Sequence, residues 1–289
     1  MSIDSLSLDS LITAISVAFG ALLSAFASWV FARRTIPRSH RVAVIGFPQA
    51  GKTSLIVALF AHYFRRGVRG ALILPRGEET IRRVNSLIAE VESGKGITPT
   101  TDQDLFAFRA EVNQRSALDL LSRRYKLEIG DFPGEYSEEF IASSQPWLHN
   151  TNYFEWAIGA DAFLFVIDSK KALENKDNYV ATQKSAFRAA WQRIREHHID
   201  GARRLHGKSA VLVFTKADLV SDTSWTGSMK DQELERLNRR LDGLFADLIE
   251  YFRREIPRFR TVVTSVVSGD SDERVGVDVV ATLILPRVL

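Results

Sequence analysis

The octet "GFPQAGKT", Gly46 to Thr53, carries glycine, lysine and hydroxyl at the spacing G-x-x-x-x-G-K-[ST]. Such a loop can cradle phosphate, because its backbone N–H groups and the N-terminus of a following helix point at the anion. Lys52 would neutralise charge on the outer phosphates, and the Thr53 hydroxyl would ligate Mg²⁺. The setting that the pattern requires is present: "RVAVI" leads in as a strand and "SLIVALFAHYF" leads out as a helix. Gly46, Pro48, Gln49, Ala50, Gly51, Lys52, Thr53 and Ser54 are therefore the expected phosphate-binding residues.

Three further stretches have chemistry that would suit such a loop. "IGDFPGE", 129–135, closes a strand-like run. Asp131 there would hold Mg²⁺ through water, and Gly134 would offer a backbone N–H to a γ-phosphate; D-x-P-G is also good turn chemistry, and a plain surface turn stays open. "TKAD", Thr215 to Asp218, follows the apolar run "AVLVF". The Asp218 carboxylate can accept from guanine N1 and the exocyclic amine, and would go unpaired against adenine. The stem of Lys216 can pack on the base and the loop. "TSVVSG", 264–269, can form a turn in which Ser265, Val266 and Val267 sit beside the base and the Val266 N–H meets guanine O6; any Ser-rich turn would match as well.

These stretches need elements to position them. Apolar runs at 41–46, 104–112, 125–132, 162–168, 210–216 and 260–266 read as strands, with a possible extra strand "GALILP" at 70–75. Several are almost continuously apolar, as strands buried on both faces should be. Between them, Ser54–Arg66, Thr80–Glu92, Ala186–His198 and Gln232–Arg254 read as helices. The expectation is one α/β domain, a mostly parallel sheet with helices on both faces, in which each chemical stretch follows a strand. That carboxyl edge is where open α/β sheets bind ligands.

With all four stretches in this order, 41–289 resembles the Ras-like, translation-factor-related P-loop small GTPases. The resemblance implies a three-layer αβα fold, GTP or GDP with Mg²⁺, and water attack on the γ-phosphate. It also implies a switch threonine before the second strand. "GITPTTDQDLF" supplies Thr100, with Thr101 and Thr98 as alternatives. Relatives usually carry Gln or His where this chain has Glu135, so Glu135 takes the water-orienting place with a charge near the γ-phosphate. Pro48 replaces a frequent glycine and removes one N–H from the cradle. Slow hydrolysis is the expectation. A non-hydrolysing, nucleotide-loaded scaffold is the alternative, and an ATP-dependent enzyme a weaker one.

The chain has 289 residues, no cysteine and a net charge of +3. Disulfides and thiolate metal sites are excluded, and the mild charge gives no reason to expect nucleic acid. The stretch 11–32 carries no charge, and as a helix it would span about 33 Å, against a hydrocarbon core of roughly 30 Å. Asp4 and Asp9 precede it, while Arg33, Arg34, Arg38 and Arg41 follow. A single membrane span within 1–34 is expected, with the N-terminus outside, a basic linker at 35–40 and the domain cytoplasmic. An N-terminal span before such a domain resembles the β subunit of the signal recognition particle receptor; bacterial conflict- and signalling-system GTPases are also similar. The segment 136–160 holds Trp147, Tyr153, Phe154 and Trp156, and is either a surface for an effector protein or part of the core.

Overall fold

Two strands have every residue buried: "AFLFVID" at 162–168 and "SAVLVFT" at 209–215. Strands of that kind need helices on both faces. The computed structural model supplies them; it describes residues 8–35, 38–65, 67–68, 70–92, 106–114, 123–131, 152–198, 207–220, 229–266 and 275–286. The strands are β1 (Arg38–Ile45), β2 (Ala71–Pro75), β3 (Phe106–Gln114), β4 (Arg123–Asp131), β5 (Ala162–Asp168), β6 (Ser209–Thr215) and β7 (Arg258–Val263). The helices are α1 (Leu8–Thr35), α2 (Lys52–Arg65), α3 (Glu78–Glu92), α4 (Asn152–Ile158), α5 (Ser169–Glu174), α6 (Lys176–His197), α7 (Met229–Leu244), α8 (Ala246–Glu255) and α9 (Val277–Leu283), with a 3₁₀ turn at Ala217–Leu219.

The sheet order is β2-β3-β4-β1-β5-β6-β7. β1 pairs in parallel with β4 on one side and β5 on the other, and β6 and β7 continue in parallel. β3 runs antiparallel to β4, and β2 antiparallel to β3. The expected mostly parallel sheet is thus mixed at one end, and the extra strand at 70–75 is its edge. Side chains alternate along each strand as the pleat demands. Val42, Val44, Leu164, Val166, Val211 and Val213 face a core closed by α2, α3 and α9. Ala43, Ile45, Phe163, Phe165, Leu212 and Phe214 face the other, closed by α4, α6, α7 and α8.

Two expectations change. The helix expected over 186–198 starts ten residues earlier, at Lys176, where a polar run hides the period. The helix expected over 232–254 breaks at Phe245, whose fully buried ring packs against Phe214. Trp156, in the segment expected to be either an effector surface or part of the core, packs against the second core; Trp147, Tyr153 and Phe154 have no described side chains. The span over 11–32 lies in a helix, α1, whose side chains are exposed from 13 to 29. Among the described residues no helix is long and apolar enough to cross a membrane.

The amino edge of the sheet holds buried charge. The Lys208 ammonium donates to the carbonyls of Ile158 and Ala160, just beyond the C-terminus of α4. Burial holds its pKa below the usual lysine value. His40 Nε2 donates to the Ile284 carbonyl at 2.7 Å, and its Nδ1 lies 3.7 Å from Asp161. Burial pulls the His40 pKa down, Arg258 and Lys208 add to that, and the Ile284 carbonyl and Asp161 oppose it without reversing it. Between that lowered value and about 6.5 the unfolded chain binds more protons, so stability rises with pH across this window and is complete above it. His40→Gln keeps a donor for Ile284 and removes the titration. It should flatten the stability gradient below pH 6.5 by up to about 1.4 kcal/mol per pH unit, read from urea midpoints at pH 5, 6 and 7.

Candidate functional site

β1 is the strand at which the sheet changes direction of growth: β4 lies to one side and β5 to the other. A crevice at such a switch point is where open α/β sheets receive ligands. The chain leaving β1 at Ile45 enters the loop 46–51 and then α2. Gly46 sits against β5, where an added Cβ would come within 2.8 Å of the Val166 carbonyl oxygen. Only glycine lets the loop leave the strand so closely. The first turn of α2 has no carboxylate, so nothing there competes with an anion for the helix dipole.

Lys52 is buried, and its ammonium donates to the carbonyls of Gly46 at 2.7 Å and Phe47 at 3.0 Å. The loop thus curls around its own lysine. The Thr53 hydroxyl donates to Asp131 Oδ1 at 3.2 Å, and Asp131, at the end of β4, is buried. This is a pair of hard oxygen donors beside the loop. It suits Mg²⁺, which takes one or two protein ligands, keeps several waters and completes its shell with phosphate. Gln49 is exposed, Pro48, Gly51 and Ser54 are half-buried, and Ala50 is buried.

The segment expected to read the base is tied to the loop. The Thr215 hydroxyl, at the end of β6, lies 2.6 Å from the Ala50 carbonyl and 3.0 Å from that of Ile167 in β5. Thr215 is buried and acts on the loop, so it positions the site rather than facing a ligand. Lys216 follows with a left-handed backbone (φ 58), and its ammonium meets Asp168 Oδ2 at 2.6 Å. Asp218 lies in the 3₁₀ turn and accepts a hydrogen bond from the Ser265 hydroxyl at 2.8 Å. Backbone bonds continue past the strand ends: Ala217 N to Thr264 O, and Thr264 N to Phe214 O. Val266 buries its side chain in the first core, which fixes its backbone beside Ser265.

The structure therefore brings together Gly46 to Ser54, Asp131, Thr215, Lys216, Asp218, Ser265 and Val266 at one edge of the sheet. Thr100, Gly134, Glu135 and Val267 lie outside the described residues. The two non-glycine residues with positive φ among the described residues, Gln49 and Lys216, both fall in this site. Strained backbone concentrates where a structure is shaped for a ligand. Sequence reasoning missed Asp168, although a carboxylate ending the otherwise apolar strand "AFLFVID" was a visible signal.

Among solved structures, the chain is similar to LeoA, a bacterial dynamin GTPase from ETEC, with 13% identity and a TM-score of 0.44; the likeness covers 85% of this chain and 35% of LeoA. It is similar to the signal recognition particle receptor SRb-GTP/SRX complex from Chaetomium thermophilum, with 16% identity and a TM-score of 0.39, covering 82% of this chain and 94% of that one. It is also similar to Methanosarcina barkeri Roco2 RocCORdC bound to GDP, with 12% identity and a TM-score of 0.35, covering 85% and 47%. The chain thus spans about a third of the length of LeoA. No curated protein matches it. One family model, described as Double-GTPase 2, matches residues 40–284, from within β1 to just past α9. Because that match takes in the loop, Asp131, Thr215 to Asp218 and all the strands between them, the chain belongs to the Double-GTPase 2 family and is a P-loop GTPase domain.

Proposed function

We propose that this chain is a membrane-associated GTP switch that binds GTP with Mg²⁺, hydrolyses it slowly and recruits a protein partner in its GTP form. The observation that carries the nucleotide reading is the union of two subsites through Thr215: the phosphate loop hangs from the same strand end that presents Lys216 and Asp218. In this reading Lys52 exchanges the carbonyls of Gly46 and Phe47 for phosphate oxygens. Loop amides and the α2 N-terminus hold the remaining charge. Thr53 and Asp131 hold Mg²⁺, which when bound neutralises the charge that develops on the phosphates. Asp218, steadied by Ser265, accepts from guanine N1 and the amine. Glu135 in the water-orienting place and Pro48 in the loop argue for slow turnover.

Membrane association rests on other grounds. The run 11–32 is uncharged and followed by arginines. Ile15, Val17, Phe19, Leu22, Leu23, Phe26 and Trp29 of α1 are all exposed among the described residues, which leaves a long apolar stripe on the helix to be covered. Lipid is the proposed cover, and the domain then works on the cytoplasmic side.

The test is nucleotide extraction and GTP turnover on the detergent-solubilised full chain. GDP in the extract with measurable turnover supports the switch; intact GTP without turnover would replace it with a nucleotide-loaded scaffold; preference for ATP would reject both. Lys52→Ala should weaken GTP binding by more than about 100-fold in equilibrium titration, as expected for removing one partner of a desolvated charge contact. Asp218→Asn should weaken GTP by about 100-fold or more and favour xanthine nucleotide, because the amide presents a donor where the guanine exocyclic amine also donates, whereas xanthine offers a carbonyl oxygen there. An unchanged GTP preference in Asp218→Asn would remove that residue from base recognition.

A further inference from the structure

Asp168 ends β5 and is almost fully buried, with its side chain 3% exposed. Its two oxygens serve different neighbours. Oδ1 accepts the backbone N–H of Lys171 at 3.1 Å and so caps α5. Oδ2 meets the Lys216 ammonium at 2.6 Å. Lys216 leaves β6 from a left-handed backbone, so its stem crosses from the end of β6 to the end of β5. Those two strand ends are also where the Thr215 hydroxyl meets Ile167 and the phosphate loop. The stem is thereby stretched over the junction of loop and base-reading turn, with the ammonium pinned at its far end.

A lysine stem is a flexible chain of four carbons, and a free one would lose considerable rotamer entropy on packing against a ligand. Here that loss is incurred before any ligand arrives, because one end is fixed by the backbone and the other by a buried carboxylate. A pre-ordered apolar shelf of this kind slows ligand departure without reading the identity of the base. Asp218 and Ser265 do that reading on the adjoining turn.

Resting on the guanine-nucleotide reading of this site, we propose that Asp168 is a positioning residue for nucleotide binding: it pins the Lys216 ammonium so that the Lys216 stem forms a fixed shelf beneath the base. Asp168 touches no nucleotide in this arrangement and acts wholly through Lys216.

The test is the dissociation rate of a fluorescent GDP from the detergent-solubilised full chain. The native chain is compared with Asp168→Asn, Lys216→Met and the double variant. Asparagine keeps an oxygen to cap α5 and removes the charge; methionine keeps an apolar stem and removes the ammonium. GDP should leave Asp168→Asn about tenfold faster than the native chain, within the coupling range of contacting residues. Lys216→Met should show the same acceleration, and the double variant should be no faster than either single one. The preference for GDP over ADP should be unchanged in all three. A purely structural role for Asp168 would instead accelerate loss equally whether or not Lys216 is present. That result, or native dissociation in either single variant, overturns the inference. If Asp168→Asn does not fold, Lys216→Met still tests the shelf, since native dissociation there overturns it. A native chain that takes up no guanine nucleotide would overturn the reading of the site, and this inference with it.

Discussion

The Thr215 hydroxyl is one buried polar group with one proton, set between the carbonyls of Ala50 and Ile167. In a low-dielectric interior, an acceptor left without its donor costs about 1–3 kcal/mol. That penalty holds the phosphate loop against the ends of β5 and β6. An added Cβ at Gly51 would lie 3.4 Å from the same hydroxyl, so the loop is packed on Thr215 as well as bonded to it. The loop before α2 and the turn after β6 are distant in sequence, yet this junction makes them one rigid body. On the proposed reading, a ligand with a phosphate end and a base end would meet subsites whose separation is already set.

The direction of the elements sorts the charges of the molecule. Helices that connect parallel strands end near the amino edge of the sheet and begin near its carboxyl edge. Helix C-termini leave carbonyls that welcome cations, and N-termini leave N–H groups that welcome anions. At the amino edge, Lys208 and His198 serve the carbonyl of Ile158 at the end of α4, and His40 serves Ile284 just past α9. At the carboxyl edge, Asp168 caps α5, and Asp131 stands beside the start of α2. The buried lysine and the buried carboxylates are thus consequences of one architecture. In the proposed function, phosphate would fit the carboxyl edge for the same reason that Asp168 does.

Much of this was legible in the sequence where the signal was local. Continuous apolar runs located β5 and β6 to within a residue, because strands buried on both faces have no other composition. The glycine and lysine spacing located the loop, since close approach and charge are written into single residues. What stayed hidden depends on partners far away in the chain. His40 meets a carbonyl 244 residues on, and Lys208 meets one 50 residues back. Neither residue type reveals whether it will be solvated or buried. The short helices α4, α5 and α9 span too few turns to show a period, and the break at Phe245 is imposed by packing against Phe214.

The two strained backbones explain why the site needs so much support. A left-handed conformation costs a residue with a side chain about 1–2 kcal/mol. Gln49 and Lys216 both adopt it, at φ 62 and 58. Left alone, either segment would relax and the loop and turn would separate. At Lys216 the restraint comes from three directions: Asp168 holds the ammonium, the Ala217 N–H bonds to Thr264 O, and the Leu219 N–H closes the 3₁₀ turn on Lys216 O. At Gln49 it comes from the Ala50 N–H bond to Phe47 O and from Thr215 on the Ala50 carbonyl. The strain at Gln49 tightens the loop so that Lys52 folds back into it, and the strain at Lys216 turns the chain so that Asp218 meets Ser265. A sheet of strong parallel strands is what lets the carboxyl edge sustain both.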